Sequence, residues 1–106
     1  MVEHVSVRHL AEAMSRGDAH VVDVREGYEY AAGHVPGAVH VPMHLVPLRV
    51  SELPRDKDLY LICETGNRSF QVGLYLARQG ISTHNVEGGT SAWRWAGGPL
   101  STGSAA

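Results

Sequence analysis

Leu59-Tyr60-Leu61-Ile62-Cys63-Glu64-Thr65-Gly66-Asn67-Arg68-Ser69 passes from an apolar run into a short polar one, and an amphipathic pattern follows at once. Read in order, it is a buried strand, a tight loop and the start of a helix. Cys63 is the only cysteine of the chain and stands at the join. A thiol between a strand's carboxyl end and a helix N-terminus has two reasons to ionise. Unpaired helical N–H groups point toward it, and the macrodipole adds partial positive charge. Both lower a thiol pKa and expose the nucleophilic thiolate. Gly66 lets the loop adopt a backbone conformation closed to other residues, so that successive N–H groups can converge as an anion nest.

Working outward, apolar strand-like segments alternate with helix-like ones, which predicts an α/β fold with a mainly parallel sheet. A short strand is expected near His4-Val5, and Ser6 then caps a helix. Val7, Leu10, Ala11 and Met14 form its expected buried face, with Gly17 as the stop. Ala19 to Val24 is continuously apolar except at His20 and Asp23, as in a strand covered on both faces. Glu26 to Ala32 reads as a short helix ended by Gly33, Ala38 to Val41 as a short strand, and Leu45 to Leu53 as a helical turn or two. Residues 58–62 are the strand before Cys63. The helix after it is expected to bury Phe70, Gly73, Leu74 and Ala77, widened by Val72 and Leu76, and to end at Gly80. A last strand at 83–86 and a last helix from Ser91 to Ala96 complete the pattern.

With 106 residues the chain holds one domain and one modest core. A hydrophobic fraction of 43% and a charged fraction of 19% are those of an ordinary soluble protein. The formal net charge of −2 gives no basic surface for nucleic acid or anionic membranes. No apolar run approaches the ~18 residues of a membrane span, and the first residues carry no secretory pattern. A single cysteine forms no internal disulfide and no dithiol redox pair, so the expected location is the cytoplasm.

Three further segments accompany the Cys63 loop. They are Val22-Asp23-Val24-Arg25 followed by Glu29; Gly33-His34-Val35-Pro36-Gly37-Ala38; and Glu87-Gly88-Gly89 with Ala92-Trp93 and Ala96-Gly97. In this order the four resemble the signatures of the rhodanese family of sulfurtransferases, over roughly residues 4 to 99. The resemblance implies a single rhodanese-like domain over residues 1–99, with a small twisted sheet of about five strands flanked by helices. Residues 100–106 are expected to form a frayed tail. It also implies that Cys63 is catalytic and takes a sulfane sulfur from thiosulfate or a persulfide. The sulfur is carried as a persulfide and passed to cyanide or a thiol. Glu64, Thr65, Gly66, Asn67 and Arg68 would bind substrate, with Asp23, Arg25 and Ser69 in support. Donor and acceptor are small molecules, or a protein in either role. No metal or organic cofactor is required.

Related loops that bind phosphate or arsenate use Cys-x5-Arg. Here only Glu64, Thr65, Gly66 and Asn67 stand between Cys63 and Arg68, a tighter ring suited to one sulfur atom. Rhodanese-like domains also serve as non-catalytic or redox-sensing modules, and the retained Cys63 favours an enzyme over these. Asp23 is expected at the sheet's carboxyl edge, bonded to loop or arginine donors, because an unpaired buried carboxylate is costly. Arg25 and Glu29 read as a structural ion pair. His40 and His44 are spaced as helical metal ligands, but Pro42 lies between them and no thiolate or carboxylate cluster accompanies them. His34 reads as a turn residue bonded to backbone, Trp93 as core, and Gly88-Gly89 as a helix-entry turn. Glu64 is the departure from the pattern. Beside the nucleophile it would repel a dianionic donor and oppose thiolate formation, unless Arg68 neutralises it or it points outward. A persulfide donor is therefore expected in preference to thiosulfate.

Overall fold

The computed structural model describes residues 1–104. Strands β1 (Val2–Val5), β2 (Ala19–Asp23), β3 (Val39–His40), β4 (Asp58–Ile62) and β5 (Thr83–Val86) form one sheet in the order β1-β5-β4-β2-β3. Every pairing is parallel. The helices are α1 (Val7–Ser15), α2 (Gly27–Ala32), α3 (Val46–Arg49), α4 (Asn67–Arg78) and α5 (Gly89–Trp95), with 3-10 turns flanking α3. Among the described residues no helix is long and apolar enough to cross a membrane.

Strand alternation divides the core between the two faces of the sheet. Tyr60 and Ile62 point to one side, where they meet Leu10 and Ala13 of α1, Tyr30 of α2 and Trp93 of α5. Leu59, Leu61 and Cys63 point to the other, against Val46 of α3 and Val72 and Leu76 of α4. β4 is central, so both of its faces are covered, and this is why its sequence is apolar from Leu59 to Ile62, after the exposed Asp58. Fully burying an aliphatic side chain such as Leu61 contributes about 1.5–3 kcal/mol.

Local signals behave largely as the sequence predicts. Ser6 accepts from the His9 amide at 3.0 Å and caps α1. Glu26 and Glu29 form a capping box at the start of α2. Three expectations about the helices need correction. On α1, Ala13 is buried and Ala11 is exposed, because an alanine carries too little apolar surface to mark a face. On α4 the buried face is Ser69, Val72, Gly73 and Leu76, whereas Leu74 is exposed and Phe70 and Ala77 are half-buried. The helix is rotated so that Ser69 faces the sulfur and Gly73 meets Val2, where an added Cβ would stand 3.0 Å from the valine methyls. Finally, α5 starts at Gly89, earlier than the expected Ser91, because left-handed Gly88 (φ 76°) and Gly89 (φ 58°) turn the chain directly into it.

The segment after Pro99 is docked. Ser101 forms an antiparallel bridge with His34 through two backbone bonds of 2.8 and 2.9 Å, and the Gly103 amide donates to the Ala31 carbonyl. The Trp93 indole donates to the Pro99 carbonyl at 2.7 Å. The expected fraying therefore does not extend over residues 100–103, and its last two residues, 105 and 106, lie outside the described ones.

Candidate functional site

The loop between β4 and α4 stands at the carboxyl end of the central strand, where parallel sheets gather ligands. Cys63 is 1% exposed, and its sulfur lies inside the loop's own ring of donors. The Gly66 amide donates to Sγ at 3.1 Å, and the Ser69 amide reaches it at 3.4 Å. The Ser69 hydroxyl oxygen lies 3.3 Å from the same sulfur. Gly66 adopts φ 104°, and this left-handed turn aims its amide inward. Burial pushes the Cys63 thiol up. The Ser69 hydroxyl and the Ser69, Gly66 and Thr65 amides pull it down more strongly, and the net pKa falls below the ordinary thiol value.

A second layer fixes the loop. The Thr90 amide donates to the Cys63 carbonyl at 2.8 Å, its hydroxyl does so at 3.1 Å, and the Ser91 amide donates to the Glu64 carbonyl at 3.0 Å. Gly89 lets α5 approach this closely, because a Cβ there would stand 2.4 Å from the Cys63 carbonyl oxygen. Asn85, from β5, donates from Nδ2 to the Gly66 carbonyl at 3.2 Å and receives the Ser69 hydroxyl on Oδ1 at 2.5 Å.

Charged groups ring the loop in pairs. Asp23, fully buried at the end of β2, accepts from the Arg25 amide at 3.0 Å and from its guanidinium at 2.8–3.1 Å. Arg25 also donates to the Gly33 carbonyl at 2.8 Å and to Glu64 at 3.0 Å. Arg94 of α5 holds the other Glu64 oxygen at 3.1 Å. Arg68 is engaged bidentately by Glu29, at 2.8 and 2.9 Å. The Arg68 hydrogen bonds hold Glu29 well below the usual carboxylate range, at about 2, against the opposing effect of burial.

Of the residues singled out in the sequence, Cys63, Gly66 and Ser69 converge on the sulfur. Asp23 sits at the sheet edge with arginine donors, as expected. Two pairings differ from expectation. Arg25 pairs with Asp23 and Glu64 rather than with Glu29, and Glu64 is neutralised by Arg25 and Arg94 rather than by Arg68. The expected partners were chosen by nearness in sequence, whereas the sheet brings residue 25 beside residue 64. Thr65 and Asn67 are exposed at the rim. His34 bonds to the Tyr30 carbonyl, and His40 to the Arg25 carbonyl, each at 2.7 Å. Among the described residues no group of three or more His, Cys, Asp and Glu side chains is arranged to hold a metal ion. Sequence reasoning missed Asn85, Thr90 and Arg94. Asn85 lies in a strand whose other residues include Thr83 and His84, so no pattern in the sequence set it apart.

Comparison with known proteins agrees with this architecture. A family model described as Rhodanese-like domain matches residues 6–96. The chain is 38% identical over 102 residues to an Allochromatium vinosum protein named Sulfurtransferase, covering 94% of this chain and 95% of that one. It is 34% identical over 85 residues to the Thiosulfate sulfurtransferase GlpE of Pseudomonas savastanoi pv. phaseolicola, covering 79% of this chain and 80% of the relative. The crystal structure of a rhodanese-related protein from Thermoplasma volcanium matches with a TM-score of 0.85 at 29% identity, over 93% of this chain and 97% of that one.

Proposed function

Because this chain belongs to the rhodanese-like domain family, we propose that it is a sulfurtransferase that moves a sulfane sulfur from a donor to a thiophilic acceptor through a persulfide on Cys63. The observation that carries this reading is the convergence of two backbone amides and the Ser69 hydroxyl on a single sulfur at the head of α4.

The Cys63 thiolate attacks the outer sulfur of the donor. A new S–S bond forms, the donor's own S–S bond breaks, and the leaving group departs with the electron pair. With thiosulfate that group is sulfite; with a persulfide it is a thiolate. The outer sulfur, now on Cys63, carries the negative charge. Fixed dipoles of the loop amides and of the N-terminal end of α4 would stabilise that charge without mobile side chains. Cyanide or a thiol then attacks that sulfur and frees the Cys63 thiolate. Neither half-reaction calls for a metal or an organic cofactor.

Glu64, Thr65, Gly66, Asn67 and Arg68 contribute through their backbone, whereas the charged side chains of Glu64 and Arg68 anchor the loop from outside. Asp23 and Arg25 support Glu64, and Ser69 supports the sulfur. Among the described residues Arg25, Arg68 and Arg94 around the loop are all paired with carboxylates, and none of the three is free to meet a tetrahedral dianion. This weighs against phosphate and arsenate chemistry and favours a persulfide donor over thiosulfate. The direct test is to incubate the protein with a sulfur donor and weigh it intact. Wild type should gain the mass of one sulfur atom and lose it on adding cyanide, and Cys63→Ser should gain none. If wild type gains none and turns over no faster than Cys63→Ser, the proposal fails.

A further inference from the structure

We propose that Asn85 is a positioning residue that competes with Cys63 for the single hydrogen of the Ser69 hydroxyl, and so sets which protonation state of the sulfur that hydroxyl serves. A serine hydroxyl has one hydrogen to give and two lone pairs to accept with. Ser69 is fully buried and has two acceptors in reach, Asn85 Oδ1 at 2.5 Å and Cys63 Sγ at 3.3 Å. It can donate to only one of them at a time.

The amide of Asn85 cannot turn away. β5 pairs with both β1 and β4, and the register sets Asn85 opposite His4 and Leu61. Its Nδ2 donates to the Gly66 carbonyl at 3.2 Å and to His4 Nδ1 at 3.2 Å. Flipping the amide would set oxygen against the Gly66 carbonyl oxygen, so Oδ1 faces Ser69. Asn85 is 2% exposed, so its oxygen has no water to fall back on if Ser69 turns away.

Two arrangements follow. With Cys63 protonated, Ser69 donates to Asn85 and accepts the S–H hydrogen on its free lone pair. With Cys63 ionised, Ser69 must turn its hydrogen to the sulfur and leave the Asn85 oxygen unsatisfied. Asn85 thereby opposes ionisation, and restrains the thiolate that the loop amides promote. The charged and titratable groups around the loop are Arg68 of α4 with Glu29 of α2, Glu64 with Arg25 and with Arg94 of α5, Glu87 after β5, and His4 of β1. An apolar residue 85 also removes the bonds to His4 and to the Gly66 carbonyl, and that loss is common to the Ser69 and Ser69→Ala backgrounds.

The inference rests on the reading of Cys63 as an ionising nucleophile, but its test uses no sulfur donor and so stands apart from sulfur transfer. Asn85→Leu and the smaller Asn85→Ala are compared with Asn85, each with Ser69 and with Ser69→Ala, by the pH dependence of iodoacetamide alkylation at the chain's single cysteine. Removing the competitor should lower the apparent Cys63 pKa by about one unit, a tenfold larger thiolate fraction below the pKa. The shift should vanish with Ser69→Ala. No fall, a rise, or an equal fall in both backgrounds overturns the proposal. Should neither residue 85 variant fold, the side-chain amide resonances of Asn85 in wild type must move with Cys63 ionisation and stay still in Ser69→Ala. Resonances that ignore the titration overturn it equally.

Discussion

A carboxylate directly after a nucleophilic cysteine looks hostile to an anionic donor, and Glu64 shows how position changes that meaning. Its two oxygens are taken by Arg25 and Arg94, so its charge is spent on holding the loop to the end of β2 and to α5. The proposed preference for a persulfide donor then rests on the pairing of the described guanidinium groups around the loop. Glu64→Ala changes both grounds in the same direction and so tests charge at the rim as a whole. It frees Arg94 and removes one negative charge, so the KM for thiosulfate should fall severalfold in the thiosulfate:cyanide assay, while looser anchoring lowers kcat. An unchanged KM would show that charge at the rim does not govern thiosulfate use.

At the scale of elements, Glu29 of α2 and Arg68 of α4 clasp two helices that touch the sheet from opposite faces. The folded pKa of Glu29 is depressed from 4.5 to about 2. The pair therefore contributes its full stability above the unfolded value, near 4.5, and loses it as pH falls toward 2. Glu29→Gln lacks this contribution at every pH. Urea midpoints measured from neutral pH down to pH about 2 should show wild type falling toward the variant, with the gap closing below about 4.5. Curves that stay parallel would mean the pair is energetically silent, as many exposed ion pairs are.

These pairings also mark where the sequence stops being readable. The strands at 58–62 and 83–86, the Ser6 cap and the Gly66 turn depend on neighbouring residues, and local pattern announces them. The loop sulfur was legible for the same reason, since strand end, glycine and helix start are contiguous. The partners of Arg25, Glu64 and Arg68 come from segments far apart in the chain. Only the strand order β5-β4-β2 decides them. The rotation of α4 escaped for a related reason: Ser69, a polar residue, faces inward because the sulfur is there.

The molecule as a whole is closed by its own C-terminal segment. The chain passes over Trp93 so closely that a Cβ at Gly98 would stand 2.5 Å from the indole, and then pairs with His34 through Ser101. Ending the chain at Gly98 removes the indole bond and the bridge. We expect a loss of about 1–2 kcal/mol, or a fall in Tm of roughly 4–15 °C for a domain of this size. Thr90 and Ser91, whose amides hold the carbonyls of the sulfur loop, lie at the other end of Trp93's helix, so the Cys63 alkylation rate should change little in the same variant. A Tm equal to that of the intact chain would show the segment to be ornamental.

The seat of Gly89 against the Cys63 carbonyl has a bearing on ancestry. Thr90 and Ser91 donate to the two carbonyls at the start of the loop, and Gly89 leaves no room between them and α5. Phosphate chemistry asks for a loop longer by one residue. A residue inserted at Cys63 or Glu64 would displace those carbonyls and cost the bonds, whereas one inserted nearer Arg68 does not touch them. Descent from one chemistry to the other through this scaffold therefore has its room on the Arg68 side of the loop, where α5 holds no carbonyl.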